Sequence, residues 1–387
     1  MTALAWLGFA VGIVLLVTTA ASVLKALVVP RPPRRVSSGT VQAVIRAGFR
    51  LVALRLPGYE AKDRLLAAAE PMTLLLLLTW WVARFLLGYA LVLWPLDPSG
   101  LGHALRESGS SMLTLGIVVP GHAASTAVDY LAAGTGLVIV ALEIAYLPTI
   151  YGAFNRREVL VTMLASRAGV PAWGPELLAR HQLVGILDDL PAFYGAWESW
   201  AAELAESHTS YPSLLWLRSP KALYSWVVGL LAVLDSAALY LALSPSRAPS
   251  QARLCLRMGF TALRDVAGVV GIAYDPDPDP EGTLELGFDE FLGAVERLAR
   301  AGFPMERTPE DAWPHFRGWR VNYEPLAYAL ADLVMAPPAP WSGPRRHLPM
   351  AEIPPVRPVD RVPLGGSAAP PGAPTPPPAV PPGGGGG

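Results

Sequence analysis

Three long apolar runs, at residues 3–29, 72–94 and 128–153, constrain this chain more than any other feature of its sequence. Each run is long enough for the about 20 residues that a helix needs to cross the hydrocarbon core of a bilayer. Of the 387 residues, 52% are hydrophobic and only 16% are charged, whereas soluble proteins have about 25% charged residues. The sequence therefore predicts an all-α integral membrane protein with three transmembrane helices.

The basic residues between these runs predict the orientation, because short loops rich in lysine and arginine stay in the cytoplasm. Residues 30–70 contain eight basic residues, whereas residues 96–127 contain only Arg106. Arg156 and Arg157 follow the third run directly. We therefore expect a multi-pass protein of the plasma membrane, with its N-terminus outside and everything after the third run in the cytoplasm.

The composition divides the chain into five regions. They are an N-terminal transmembrane anchor (1–29), a basic cytoplasmic linker (30–70), a transmembrane module (71–153), a helical cytoplasmic domain (154–335) and a Pro- and Gly-rich tail predicted to be disordered (336–387). The linker places apolar residues and arginines at helical spacing. This pattern favours a short helix, which either lies on the inner membrane surface or packs on the cytoplasmic domain.

The cytoplasmic domain offers no pattern typical of an enzyme. Residues 222–243 are apolar enough for a fourth span, but Asp235 near their middle favours a buried core helix. Cys255, the one cysteine, is interpreted as a core residue. His181 and His208 lack the spacing of a zinc site and are expected on solvated helix faces. Neither a cofactor nor a metal is predicted, and a net charge of -1 gives no support for nucleic-acid binding.

The segment between the second and third runs, residues 103–121, is too short and too polar for a span. Irregular backbone at membrane depth survives only where it is buried in protein or lines water, and a selectivity filter uses that exception because its carbonyls replace the ion's hydration shell. Such a re-entrant segment needs a short helix running inward, for which residues 105–113 are suitable, and then a returning strand at 114–118. The hydrogen-bonding groups of this pore helix are expected to be Ser108, Ser110 and Ser111.

The returning segment begins with Thr114-Leu115-Gly116. With its flanking spans, this motif resembles the two-transmembrane pore-loop module of the potassium-channel superfamily over residues 72–153. The filter of that family reads Thr-Val-Gly-Tyr-Gly-Asp or close to it. Here Leu115 stands in the place of the valine, and the three residues after Gly116 also differ, because they are Ile117, Val118 and Val119.

The resemblance implies a filter-like segment, formed by Thr114, Leu115, Gly116 and Ile117. It implies a monovalent cation, potassium for example, as the permeant species. It also implies a homo-oligomer, a tetramer by resemblance, because each chain supplies only one pore segment. The family's inner helix has a hinge glycine, to which Gly134 and Gly136 correspond loosely.

Two ionisable residues, Arg84 and Glu143, fall inside the predicted spans at depths that agree within roughly 3 Å. An unpaired charge at that depth costs on the order of 3 kcal/mol. We therefore predict that Arg84 and Glu143 form an ion pair within the membrane. The alternative is that Glu143 lines a water-filled cavity below the filter, since inward-rectifier members of the superfamily have an acid at a similar position.

Together these patterns predict an ion-channel-like protein, selective for potassium or a non-selective cation channel, assembled from several subunits in the lipid bilayer. The alternative is a non-conducting membrane scaffold whose cytoplasmic domain binds another protein.

Overall fold

The structure is a computed structural model, and it describes residues 3–27, 37–96 and 98–344. These residues form helices and connecting loops without a strand. The helices are α1 (Ala3–Leu27), α2 (Ser37–Arg55), α3 (Tyr59–Ala67), α4 (Ala69–Leu93), α5 (Leu101–Met112), α6 (Ala123–Ala168), α7 (Gly174–Val184), α8 (Leu190–Ser210), α9 (Trp226–Leu243), α10 (Ser250–Val270), α11 (Phe288–Arg300), α12 (Pro309–Arg320) and α13 (Glu324–Leu333), with short 3₁₀ helices at Leu187–Asp189 and Pro212–Trp216. The prediction of an all-α chain is confirmed for the described residues.

Four helical stretches are long and apolar enough to cross a membrane, as a multi-pass membrane protein requires. They are Ala3–Leu27, Tyr59–Leu93, Ala123–Ala168 and Trp226–Leu243. The first three contain the three apolar runs of the sequence. The helix of the third run extends well beyond it, because α6 has 46 residues and is therefore about 70 Å long at 1.5 Å per residue.

The helices α1 and α4 pack closely through small residues. A Cβ atom added to Gly12 would lie 2.8 Å from the carbonyl oxygen of Gly88, so a larger side chain would push the two helices apart. Further along the contact, the Trp81 indole donates a hydrogen bond to Ser22 (3.2 Å). This packing pairs α1 with α4, although they are far apart in sequence.

The second half of α6 enters a helical domain formed with α7–α13. Arg157 fixes it there, because its guanidinium donates to the carbonyls of Leu214 (2.7 Å) and Leu217 (2.6 Å). The same side chain pairs with Glu158 (2.8 Å). A single helix therefore connects the apolar helices with the domain.

The helix α9 forms the centre of this domain. It is buried along its whole length and contacts α7, α10, α12 and α13. Lipid has no access to its side chains, which favours the interpretation as a core helix. The neighbouring α10 contributes Cys255, whose interpretation as a core residue is confirmed by its burial.

A fully hydrogen-bonded cluster of charged residues lies in this core. Asp235 of α9 pairs with Arg320, which has no exposed surface. Arg320 also donates to Glu324 (2.6 Å) and to the carbonyl oxygen of Trp341 (2.9 Å). Tyr323 donates to Asp235 (2.8 Å). Burial of these charges is tolerated because each one has a partner.

The two histidines do not lie on solvated helix faces, and that expectation is wrong. In both, Nδ1–H donates to the carbonyl four residues earlier, at 2.7 Å for His181 and 3.0 Å for His208. The Nε2 atoms accept from Arg167 and Arg157, respectively. The two imidazoles are therefore neutral core groups, and their burial lowers the pKa of each.

The folded domain extends beyond the boundary predicted at residue 335. Ala336, Ala339 and Trp341 are buried, and the Trp341 ring lies against Trp173 and Phe316. The Pro- and Gly-rich composition of the tail concealed this anchor, because one aromatic residue outweighs several prolines in buried apolar area. Residues 28–36 of the anchor and linker, and 345–387 of the tail, lie outside the described residues.

The linker forms α2 and α3, and α2 has two neighbours. Its Arg46 pairs with Glu70 of α4 (2.8 Å) and lies over the Trp216 ring of the domain (4.7 Å). Val44 and Leu54, on other sides of α2, are exposed. Contact with the domain and an exposed apolar surface therefore occur together on one helix, so neither interpretation of the linker excludes the other.

Candidate functional site

The candidate site is the segment from α5 to the start of α6. The helices on either side of this segment, α4 and α6, are joined by a hydrogen bond from the Tyr89 hydroxyl group to the carbonyl oxygen of Leu131 (3.2 Å). Tyr89 lies four residues before the end of α4, and Leu131 lies eight residues after the start of α6. The end of α4 and the start of α6 therefore lie on the same side of the helix bundle, and the connecting segment begins and ends there.

Ser108 attaches α5 to α4. The hydroxyl group of Ser108 is buried and donates to the carbonyl oxygen of Leu86 (2.8 Å). Leu86 precedes the end of α4 at Leu93 by seven residues, which is about 10 Å along the helix axis. Ser108 thus lies well inside the bundle.

The end of α5 contacts α6 at a glycine. A Cβ atom added to Gly136 would lie 2.0 Å from the carbonyl oxygen of Met112, so only glycine permits this approach. Gly136 follows the first residue of α6, Ala123, by 13 residues, or about 20 Å along the axis. The last residue of α5 therefore lies deeper in the bundle than Ser108.

Ser110 holds the segment that follows α5. Its buried hydroxyl oxygen accepts hydrogen bonds from the backbone N–H groups of Ile117 (3.0 Å) and Val118 (3.1 Å). The turn out of α5 is closed by a bond from the Leu115 N–H to the Ser110 carbonyl (2.8 Å). One serine therefore fixes both the reversal of the chain and the returning residues.

The returning residues are irregular backbone instead of the expected strand. Thr114 and Gly116 have φ values of 56° and 66°, in the left-handed region that residues other than glycine seldom occupy. These two residues interrupt any extended run over 114–118. The reason is the short distance between Ser110 and Ile117, which the chain covers by turning instead of extending.

Residues 113–121 have carbonyl groups without hydrogen bonds from the described part of the chain and apolar side chains that are largely exposed. Among the described residues, no hydrogen bond ends on a carbonyl group of residues 113–121. The side chains of Leu115, Ile117 and Val119 are 57%, 72% and 83% exposed. Ser110 thus holds the segment at Ile117 and Val118, while its apolar side chains are exposed.

Two acidic residues lie behind the segment, one on α5 and one on α6. Glu107 and Asp129 are both buried, and the Asp129 carboxylate lies near the Ser111 hydroxyl and the Glu107 carboxyl group, although neither of its oxygens makes a hydrogen bond of normal geometry. Ser111 therefore belongs to the contact between α5 and α6. Sequence analysis did not select either acid, although an acid on each side of a proposed filter is a signal that could have found them.

The two glycines proposed as a hinge have different environments. The helix α6 is continuous through both. Gly136 is required by the contact with Met112, whereas no atom lies within 4 Å of a Cβ built on Gly134. A packing role accounts for Gly136, and the hinge remains a prediction for Gly134.

Arg84 and Glu143 do not form the expected ion pair. The Arg84 guanidinium donates to the Thr18 hydroxyl (2.9 Å) and lies 5.8 Å from the Trp80 ring, so it is directed at α1. The prediction matched depths but ignored direction around the helix axes, and α4 turns the face that bears Arg84 towards α1. Glu143 is half-buried on α6, and its alternative role beside a water-filled cavity remains a prediction.

Other site types receive no support from the described residues. No group of three or more His, Cys, Asp or Glu side chains in them is arranged to hold a metal ion. Comparison with known protein families, with curated proteins and with solved structures gave no match. The functional interpretation therefore depends on the residues and on their geometry.

Proposed function

We propose that this chain is one subunit of an ion-channel-like membrane protein, in which α5 and residues 113–121 form a re-entrant pore segment. The observation that carries the proposal is the depth of α5. Its contacts with Leu86 and Gly136 lie about 10 and 20 Å from the helix ends. A segment lying flat across those ends would reach neither residue.

The backbone of residues 113–121 supports the same function. A filter binds cations with main-chain oxygens, and the carbonyl groups of this segment have no hydrogen-bonding partner among the described residues. The bonds from Ile117 and Val118 to Ser110 hold the segment from its other side. The filter residues proposed are Thr114, Leu115, Gly116 and Ile117.

A pore requires several copies of the chain, because each copy has one such segment. Tyr130, Leu137 and Ile144 form an exposed apolar stripe on α6, at the spacing of one helix face. Lipid and neighbouring subunits would cover this stripe and the side chains of the filter-like segment. We propose a homo-oligomer, four-fold by resemblance, in the plasma membrane with the helical domain in the cytoplasm.

The test is cation flux from liposomes that contain the purified full-length chain. We expect potassium efflux that Gly116→Ala reduces about five- to thirtyfold, because alanine at a φ of 66° costs on the order of 1–2 kcal/mol. Gly121→Ala is the matched control, since a Cβ there meets nothing within 4 Å, and it should conduct normally.

The size of the purified protein in detergent provides the second measurement. The proposal requires an oligomer and is overturned by a monomer. Absence of flux from a correctly folded oligomer would favour the alternative function, a membrane scaffold whose helical domain binds another protein.

A further inference from the structure

An apolar cavity lies where α2 meets the start of α4 and the helical domain. Its volume is about 320 Å³, which is within the range of small-molecule sites. Apolar side chains from three parts of the chain form its walls, including Ala47, Phe49, Leu66 and Leu333. The cavity is separate from the filter-like segment and has no role in the function proposed above.

Three arginines border the cavity, and two of them are already neutralised. Arg46 makes two hydrogen bonds to Glu70, at 2.8 and 3.0 Å. Arg218 pairs with Asp63 and donates to the Val334 carbonyl (2.7 Å). These contacts use both guanidinium groups to connect the helices around the cavity.

Arg50 is the border arginine that remains available. Its partner is Asp332 at 3.3 Å, and the side chains of Arg50 and Asp332 are 43% and 69% exposed. Such a surface pair is worth about 0–1 kcal/mol, so an anionic ligand could displace it readily. The cavity therefore combines an apolar interior with one accessible positive charge at its edge.

The position of α2 indicates where a ligand of this cavity would come from. Ala43 and Ala47 line the cavity and are themselves exposed, so the cavity opens along α2. Val44, Leu51 and Leu54 on the same helix are also exposed, as expected of a helix that lies on a membrane surface. A chain from the adjoining leaflet would thus enter without crossing water.

We propose that this cavity binds the acyl chain of a fatty acid from the membrane, with its carboxylate group at Arg50. The ligand would contact α2, α4 and the end of α13 together, and so would join the membrane helices to the helical domain. The proposal depends on the membrane location of α2 and does not depend on ion conduction.

The experiment uses the full-length chain in phosphatidylcholine nanodiscs and palmitic acid carrying a photoactivatable diazirine in its chain. We expect saturable labelling of peptides that contain residues 43–50 and 333–335, and competition by unlabelled palmitate. Ala47→Phe fills the cavity and should abolish this labelling. Val44→Phe, on the same helix but outside the cavity, should label as the wild type does.

The role of Arg50 is tested separately. Arg50→Gln should weaken competition by palmitate about tenfold, the usual effect of losing one charge-assisted hydrogen bond, whereas Arg55→Gln, outside the cavity on the same helix, should not. Arg50→Gln leaves the cavity open and keeps the test valid if Ala47→Phe does not fold. Labelling that persists in Ala47→Phe, labelling confined to the spans, or equal competition by methyl palmitate would overturn the proposal.

Discussion

In the helical domain, every guanidinium nitrogen of Arg320 donates a hydrogen bond. Among the apolar helices, Arg84 donates one bond, to Thr18, and its buried Nε atom has no partner. The two regions also differ in how much apolar surface their helices expose. The apolar α9 is wholly buried, whereas α6 exposes an apolar stripe.

This difference concerns how far each region pairs its charges and covers its apolar surface with its own residues. The helices of the domain cover its apolar core, and its central charge cluster is fully paired, although the buried Nε atoms of Arg264 and Arg317 have no partner among the described residues. The apolar helices leave an exposed apolar stripe on α6 and, in residues 113–121, carbonyl oxygens without a hydrogen-bonding partner among the described residues. The predictions below test this contrast, beginning with the largest effect.

Replacing Arg320 with leucine should destabilise the domain by about 3–5 kcal/mol, because Asp235 would remain buried without its partner. The midpoint of urea unfolding, followed by tryptophan fluorescence, measures the effect. Arg300→Leu is the control: Arg300 is exposed on α11, and its loss should change stability by no more than about 0.5 kcal/mol. Equal effects of the two variants would show that the domain does not depend on its buried charges.

Replacing Gly136 with alanine should cost about 1–3 kcal/mol, because the new methyl group overlaps the Met112 carbonyl. Gly134→Ala is the matched control, since its Cβ meets nothing within 4 Å, and alanine there should stabilise α6 by up to about 1 kcal/mol. Thermal unfolding of the full chain compares the two variants. If both behave alike, α5 does not lie against α6 at Gly136.

Acidification should destabilise the domain through its buried histidines. Burial and the neighbouring Arg157 lower the pKa of His208 well below its usual value. The folded protein therefore keeps a neutral imidazole where the unfolded chain, with a pKa of about 6.5, takes up a proton. The stabilisation that comes from a neutral buried histidine is therefore fully present above a pH of about 6.5. Below that pH the free energy of unfolding falls by at most about 1.4 kcal/mol per pH unit for each histidine.

Unfolding midpoints at a series of pH values from about 7.5 to 5.5 measure this loss. His208→Gln should reduce the pH dependence, and His181, which has the same arrangement, contributes to the remainder in the same direction. His315 is exposed, so His315→Gln should leave the pH dependence unchanged. A pH dependence that His208→Gln does not alter would contradict the assignment.

Sequence patterns predicted the elements of the candidate site better than its contacts. The short helix and the burial of Ser108 and Ser110 follow from a polar segment between two apolar runs, because such serines need partners at depth. The bonds from Ile117 and Val118 to Ser110 did not follow, since a single hydroxyl can turn in several directions. The expected pairing of Arg84 failed for a similar reason: depth can be counted along a sequence, but direction depends on which helix packs alongside.

The sequence by itself determined that the chain is helical and that its first 153 residues are dominated by long apolar runs, because helix periodicity and apolar length are local properties. For α9, Asp235 already favoured enclosure by protein, and the tertiary structure added Arg320 as its partner. Tertiary structure alone decided that Trp341 anchors residues after 335 and that Gly136 receives the end of α5. Each of these depends on contacts between residues distant in sequence. Composition cannot distinguish an apolar helix surrounded by lipid from one surrounded by its own chain, because both environments exclude water.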